Sequence, residues 1–145
     1  MIKISHRGNL IGPNQELENN PEYIRKAINA GYEVEVDFRV LDGLLYFGHD
    51  YPQYEVDKFF IDLYVKKIWL HCKNLEALDY ITNMPKYYKG FWHENDKYTL
   101  TTNNYIWTYP NMPVTNKSIL VHLDKPTNDI PNYIFGICSD YVSLI

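Results

Sequence analysis

Val34-Glu35-Val36-Asp37-Phe38 alternates apolar with acidic side chains. Successive residues of a strand point to opposite faces, so the pattern predicts a half-buried strand with Glu35 and Asp37 on one face. Two like charges aimed into an interior repel unless a cation sits between them. The competing reading is a solvated edge strand, since charged residues are mostly exposed. The neighbouring sequence favours the first.

Upstream, Lys3-Ile4-Ser5-His6 reads as a short strand ending at Arg7-Gly8. Asn20-Pro21 then opens a helix: Asn caps, Pro fits the first position and Glu22 suits the positive end. Tyr23, Ile24, Ala27 and Ile28 form its apolar stripe, and Gly31 stops it. Strand, helix, strand implies parallel pairing with a right-handed crossover. Downstream, Asp42-Gly43 makes a tight turn, and Leu44-Leu45-Tyr46-Phe47 returns as a strand delivering His49.

Asp57 through Val65 suits a short helix with Phe59, Phe60 and Leu63 on one side. Lys67-Ile68-Trp69-Leu70-His71-Cys72-Lys73 is the next strand. Leu75, Leu78 and Ile81 mark a further helix that Pro85 ends. After residue 90 helical signals nearly vanish. Strands are predicted at residues 90–93, 105–108, 118–122 and 135–139, joined by Pro- and Asn-rich loops too short for crossover helices.

The chain of 145 residues reads as one domain. A net charge of -4 and the absence of a basic stretch argue against a nucleic-acid partner. No run approaches a membrane span, and the N-terminus lacks the basic start and apolar core of a signal peptide, so the expectation is a cytoplasmic protein. Cys72 and Cys138 are too few and too far apart for a disulfide framework and are expected reduced. The 14 tyrosines suit either a polyol-binding cleft or a thin core. Nothing in the chain sets an oligomeric state.

His6-Arg7 and His49-Asp50 bracket the Glu35/Asp37 pair. Two histidines and two carboxylates near strand ends suit metal-assisted phosphodiester cleavage. A cation offsets phosphate charge, one imidazole removes a proton and the other supplies one.

The order of these residues resembles the glycerophosphodiester phosphodiesterase family. Ile4-Ser5-His6-Arg7-Gly8, Glu18-Asn19-Asn20-Pro21, Ala30-Gly31, Glu35-Val36-Asp37, Asp42-Gly43 and His49-Asp50 follow its pattern over about fifty residues. Further on, Lys73 is similar to its strand-end lysine, Trp107-Thr108 to its Trp-Thr pair, and Ser139-Asp140-Tyr141 to its closing Thr-Asp-Tyr-Pro. The resemblance implies a TIM-type barrel, which typically needs about 250 residues. The expectation is therefore an α/β fold: a reduced (β/α) barrel of about seven strands, several crossover helices being replaced by loops.

The resemblance also implies roles. His6 and His49 form the acid–base pair. Arg7 grips a phosphate oxygen or pairs with a carboxylate such as Glu18. Lys73 and Trp107 contact a small polyol- or sugar-bearing phosphodiester substrate, and the residues themselves suggest Trp92 as a further stacking surface. Glu35, Asp37, His71 and Glu18 hold a divalent metal, with a capping-region role for Glu18-Asn19 as the alternative. Mg²⁺ or Ca²⁺ follows from the family. His71 stands where the family has a third carboxylate ligand, and imidazole suits Mn²⁺ or Zn²⁺ better. Either His71 binds directly, or it holds a metal-bound water, or the third ligand comes from elsewhere. Trp92-His93-Glu94-Asn95-Asp96 reads as a substrate-selecting loop or as a buried tryptophan with solvated neighbours. Two other functions fit the same residues: a sphingomyelinase-D-like lyase releasing a cyclic phosphate, and a non-catalytic barrel that binds phosphate or sugar.

Overall fold

A computed structural model describes residues 1–84, 86–126 and 129–145. In chain order the strands are β1 (Ile2–His6), β2 (Glu33–Leu41), β3 (Leu44–Phe47), β4 (Tyr54–Val56), β5 (Ile68–Cys72), β6 (Lys89–Trp92), β7 (Tyr98–Leu100), β8 (Ile106–Thr108), β9 (Ser118–Val121) and β10 (Gly136–Ser139). The helices are α1 (Pro21–Asn29), α2 (Lys58–Leu63) and α3 (Leu75–Thr82), with a closing 3₁₀ turn at Val142–Leu144.

Each α-helix starts where a polar side chain meets its free N–H groups. Asn20 accepts from the amides of Glu22 and Tyr23, Asp57 from that of Phe59, and Asn74 from that of Ala77. α1 buries Ile24 and Ala27. α2 departs from expectation: Ile61 is its buried residue with Phe60 packed beside it, while Phe59 and Leu63 face solvent. The helix turns its Phe60–Ile61 side to the core, which carries Phe59 and Leu63 round to solvent. Pro85, expected to end α3, lies outside the described residues.

All ten strands join one mixed sheet. Parallel pairs link β6, β5, β2, β1, β10, β9 and β8 in that spatial order. β3 and β4 add antiparallel beside β2, and β7 adds antiparallel beside β8. β2 serves three neighbours along its nine residues: β1 at its start, β5 through its middle and β3 at its end. The β2–β3 turn is Asp42-Gly43, with φ of 51° and 78°, the left-handed pair a tight two-residue hairpin demands.

This overturns the reduced TIM-type barrel. The molecule is a curled mixed sheet with three short helices, not an α/β barrel with crossover helices. Two physical features explain the difference. The tight Asp42-Gly43 turn forces β3 back antiparallel, where a barrel needs a crossover. Beyond α3, the described connections contain no further α-helix to cover the sheet.

The curl brings distant strands together. Trp107 of β8 stacks on Phe91 of β6 with ring centroids 4.1 Å apart, and the Thr102 amide donates to the Gly90 carbonyl. Inside lies a cluster of Ile4, Trp69, Phe91, Trp107, Ile119 and Cys138. Outside, a larger cluster packs Val34, Val36, Phe38, Leu70 and Cys72 against the helices. Among the described residues no helix is long and apolar enough to cross a membrane. Both cysteines are free and buried.

Candidate functional site

Strand register gathers the polar residues at one end of the curl. β1 and β2 pair with His6 opposite Glu35, and β2 and β5 pair with Asp37 opposite His71. Alternation then sends His6, Glu35, Asp37, His71 and Lys73 inward, above Ile4, Trp69 and Phe91. All but Asp37 line a cleft of about 230 Å³ together with Arg7, His49, His93 and Trp107. A larger groove of about 400 Å³ lies elsewhere, along Tyr98, Leu100, Ile106 and Val114. It is apolar and none of these groups lines it, so the smaller cleft is the candidate site.

Two glycines permit close approaches around it. Gly8 follows Arg7 at φ +96°, and a Cβ there would meet the Tyr23 ring at 2.6 Å. Gly48 precedes His49 at φ +155°, and a Cβ would meet the Tyr51 carbonyl oxygen at 2.1 Å. The Gly48 amide donates to the Asp37 carbonyl at 2.9 Å, and Arg39 donates to the Gly48 and His49 carbonyls. These bonds hold the His49 loop against the end of β2.

Glu35 and Asp37 are buried, and with His71 they offer three ligand atoms within 4.8 Å of one another. His71 Nδ1 lies 3.1 Å from Glu35 Oε1 and 3.4 Å from Asp37 Oδ1. Glu35 Oε2 and Asp37 Oδ1 are buried without a hydrogen-bond partner. Two orphaned acceptors pointing into one cluster fit a bound cation, since buried polar groups are otherwise paired. Burial alone would push the Glu35 carboxyl up. The His71 hydrogen bond and the His6 and Arg7 charges outweigh it and hold Glu35 well below the ordinary carboxylate range.

His6 Nδ1 sits 2.7 Å from Asp140 Oδ1, and His6 Nε2 sits 3.9 Å from Glu35 Oε2. Burial opposes a charge on His6, but the Asp140 hydrogen bond and the Glu35 charge together raise its pKa. Arg7 reaches Glu18 Oε2 through Nη1 at 3.1 Å, and its Nε lies 2.8 Å from Asp37 Oδ2 without the alignment of a hydrogen bond. His49 Nδ1 pairs with Asp50 at 2.7 Å near the cleft mouth. Lys73 Nζ is 3.9 Å from Asp37 Oδ1.

Two expected site residues sit elsewhere. Glu18 stands outside the ligand cluster, its carboxylate bonded by Arg7 and Asn9. Trp92 faces the outer core. Alternation along β6 turns Phe91 inward and Trp92 to the helical side, leaving Trp107 as the tryptophan at the cleft.

Asn19 braces the site, a role its residue type alone does not signal. Its Nδ2 donates to Asp37 Oδ2 at 2.8 Å, and its Oδ1 accepts from the Asp37 amide at 2.9 Å. It is buried with φ of 63°, a left-handed conformation Asn tolerates. The Glu18-Asn19 dipeptide was its only sequence signal. Asn9 bridges Glu18 and Asp140 and had none.

Compared with family models, curated proteins and solved structures, the chain matches none of them.

Proposed function

We propose that this protein is a metal-dependent phosphodiester hydrolase of the glycerophosphodiester phosphodiesterase type, acting on a small polyol- or sugar-bearing phosphodiester. The observation that carries the reading is a cleft lined by His6, His49, Arg7, Lys73 and buried Glu35, with buried Asp37 against His71 beside it and an unpartnered oxygen on each carboxylate. Glu35 and Asp37 would hold a divalent ion, which supplies positive charge to offset that of the phosphate.

The remaining work falls to side chains. Arg7 and Lys73 hold phosphate oxygens, Arg7 through the donors that Glu18 leaves free. Among the buried and half-buried groups, the carboxylates of Glu18, Glu35, Asp37 and Asp140 face the cations of Arg7 and Lys73. That excess of two negative charges suits a divalent ion. Asp140 accepts the Nδ1 proton of His6, leaving Nε2 to take a proton from the nucleophile, water or a neighbouring substrate hydroxyl. His49, on the opposite loop, protonates the departing alkoxide. Buried Trp107 and exposed Tyr109 line one side of the cleft and offer aromatic surface for a sugar or polyol.

Turnover of bis(p-nitrophenyl) phosphate tests the reading. Activity should appear with divalent ion, vanish with EDTA and return on adding metal back. Phosphorus NMR on an alkyl diester then reads the product. An open monoester supports hydrolysis, a cyclic phosphate would replace it with a lyase, and no turnover on a panel of diesters would leave a non-catalytic fold.

A further inference from the structure

We propose that His71 is itself a metal ligand, through Nδ1, and that the centre it completes selects a first-row transition ion such as Mn²⁺ or Zn²⁺ over Mg²⁺ and Ca²⁺. This rests on the metal-dependent reading above and deepens it.

The tautomer follows from donor counting. His71 Nε2 lies 2.8 Å from the backbone carbonyl oxygen of His93. A carbonyl only accepts, so Nε2 carries the proton. Nδ1 then faces Glu35 Oε1 at 3.1 Å and Asp37 Oδ1 at 3.4 Å. A bare lone pair against two carboxylates is repulsive. A second proton on Nδ1 would serve Glu35 Oε1 and still leave Glu35 Oε2 and Asp37 Oδ1 buried without partners. Lys73 Nζ, 3.9 Å from Asp37 Oδ1, is beyond hydrogen-bond reach. One cation shared by the three side chains would take a ligand atom from each and give the Nδ1 lone pair a positive partner.

The surroundings are those of a ligating histidine. Such histidines give their other ring N–H to a carbonyl or carboxylate, which fixes tautomer and ring orientation. Here the His93 carbonyl does so, and Phe91 stacks on the His71 ring at 4.8 Å and 19°. Residue 93 is itself held, its ring bonded to the Asp96 carbonyl at 2.6 Å and stacked on Tyr109. The segment after β6 thus positions His71 from behind. Mg²⁺ and Ca²⁺ take oxygen ligands almost entirely, whereas an imidazole beside two carboxylates suits Mn²⁺ or Zn²⁺.

The test uses metal-stripped natural protein, the His71→Glu and His71→Gln variants, and the chloride salts of Mn²⁺, Zn²⁺, Mg²⁺ and Ca²⁺. Calorimetry gives the affinity order, and pulsed EPR of the Mn²⁺-loaded natural protein reads coupling to a ligating nitrogen. Expected are tighter Mn²⁺ and Zn²⁺ binding, a nitrogen coupling lost in His71→Gln, and a relative shift toward Mg²⁺ and Ca²⁺ of about tenfold or more in His71→Glu. Mn²⁺ bound without nitrogen coupling overturns the His71 assignment while leaving a metal-dependent enzyme intact. No divalent binding at all overturns both. The EPR measurement on the natural protein decides even where a variant fails to fold.

Discussion

His6 and Asp140 join the first strand to the residue after the last. The β1–β10 register runs from Ile2 opposite Gly136 to Ser5 opposite Ser139, and one step further the side chains meet with Nδ1 2.7 Å from Oδ1. A pairing of chain ends thus fixes the orientation of a proposed catalytic imidazole. Asn9 donates to the same Asp140 oxygen at 2.8 Å, holding the carboxylate in turn.

Asp140→Asn tests that link. The amide nearly preserves shape but offers an N–H to Nδ1, favouring the tautomer whose Nε2 cannot accept a proton. Expected is a kcat loss of about 10²–10⁴-fold, the range of acid–base catalysis, with KM and thermal midpoint little moved. Steady-state kinetics beside a thermal melt check it, and an unchanged kcat removes Asp140 from the mechanism.

Asn19→Ala should cost stability more visibly. It deletes two hydrogen bonds to Asp37, one to a charged group, and places a Cβ residue without a polar side chain at φ 63°. Loss of a buried bond to a charged partner is worth about 1.5–3 kcal/mol, so a destabilisation near the top of that range is expected in urea unfolding. A change below about 0.5 kcal/mol, the size of an ordinary surface substitution, would contradict the bracing role.

Much of the site was legible because period two is a strong signal. Glu35 and Asp37, like His71 and Lys73, alternate with apolar residues, and each set shares one face. The same rule, carried onto Phe91-Trp92-His93, turns Trp92 outward, where it packs on the outer core. Glu18 was ambiguous in sequence, since a carboxylate near a metal position and one bonded to Arg7 look alike there. Asn9 and Asn19 were hidden, since bracing depends on backbone turns that propensity does not encode. The architecture failed for another reason: strand positions are local, while pairing is not. Asp42-Gly43 announced a hairpin, yet the short strands β4 and β7 had no apolar run to mark them.

The thiols supply a pH-dependent prediction. Burial pushes the Cys72 thiol up to about 12 and raises Cys138 well above its usual value. Thiolate is the reactive form, so neither cysteine of the folded protein should react with iodoacetamide at pH 8, and both should react after unfolding. Since the folded state holds the proton more tightly, the thiols favour folding fully below the ordinary value of 9.0, and that contribution fades as pH climbs toward about 12. Mass spectrometry of labelled protein and alkaline urea melts check both; native labelling of Cys72 at pH 8 would refute the burial argument.

The two histidines make the sharpest mechanistic prediction. A general acid matters most when the leaving group is a poor one, and an alkoxide leaves far less readily than a nitrophenolate. His49→Ala should therefore slow natural alkyl diesters by about 10²–10⁴-fold while slowing nitrophenyl diesters much less. His6→Ala removes the proton acceptor from nucleophile activation, a step both substrates share, so both should fall alike. The surroundings fit this division: His6 is locked by a buried carboxylate, while His49 sits half-exposed beside Asp50, where a departing alcohol meets solvent. Rates for each variant on the two substrate types decide the matter. The reverse pattern would exchange the roles of the two residues, and losses under about tenfold everywhere would exclude a two-histidine mechanism.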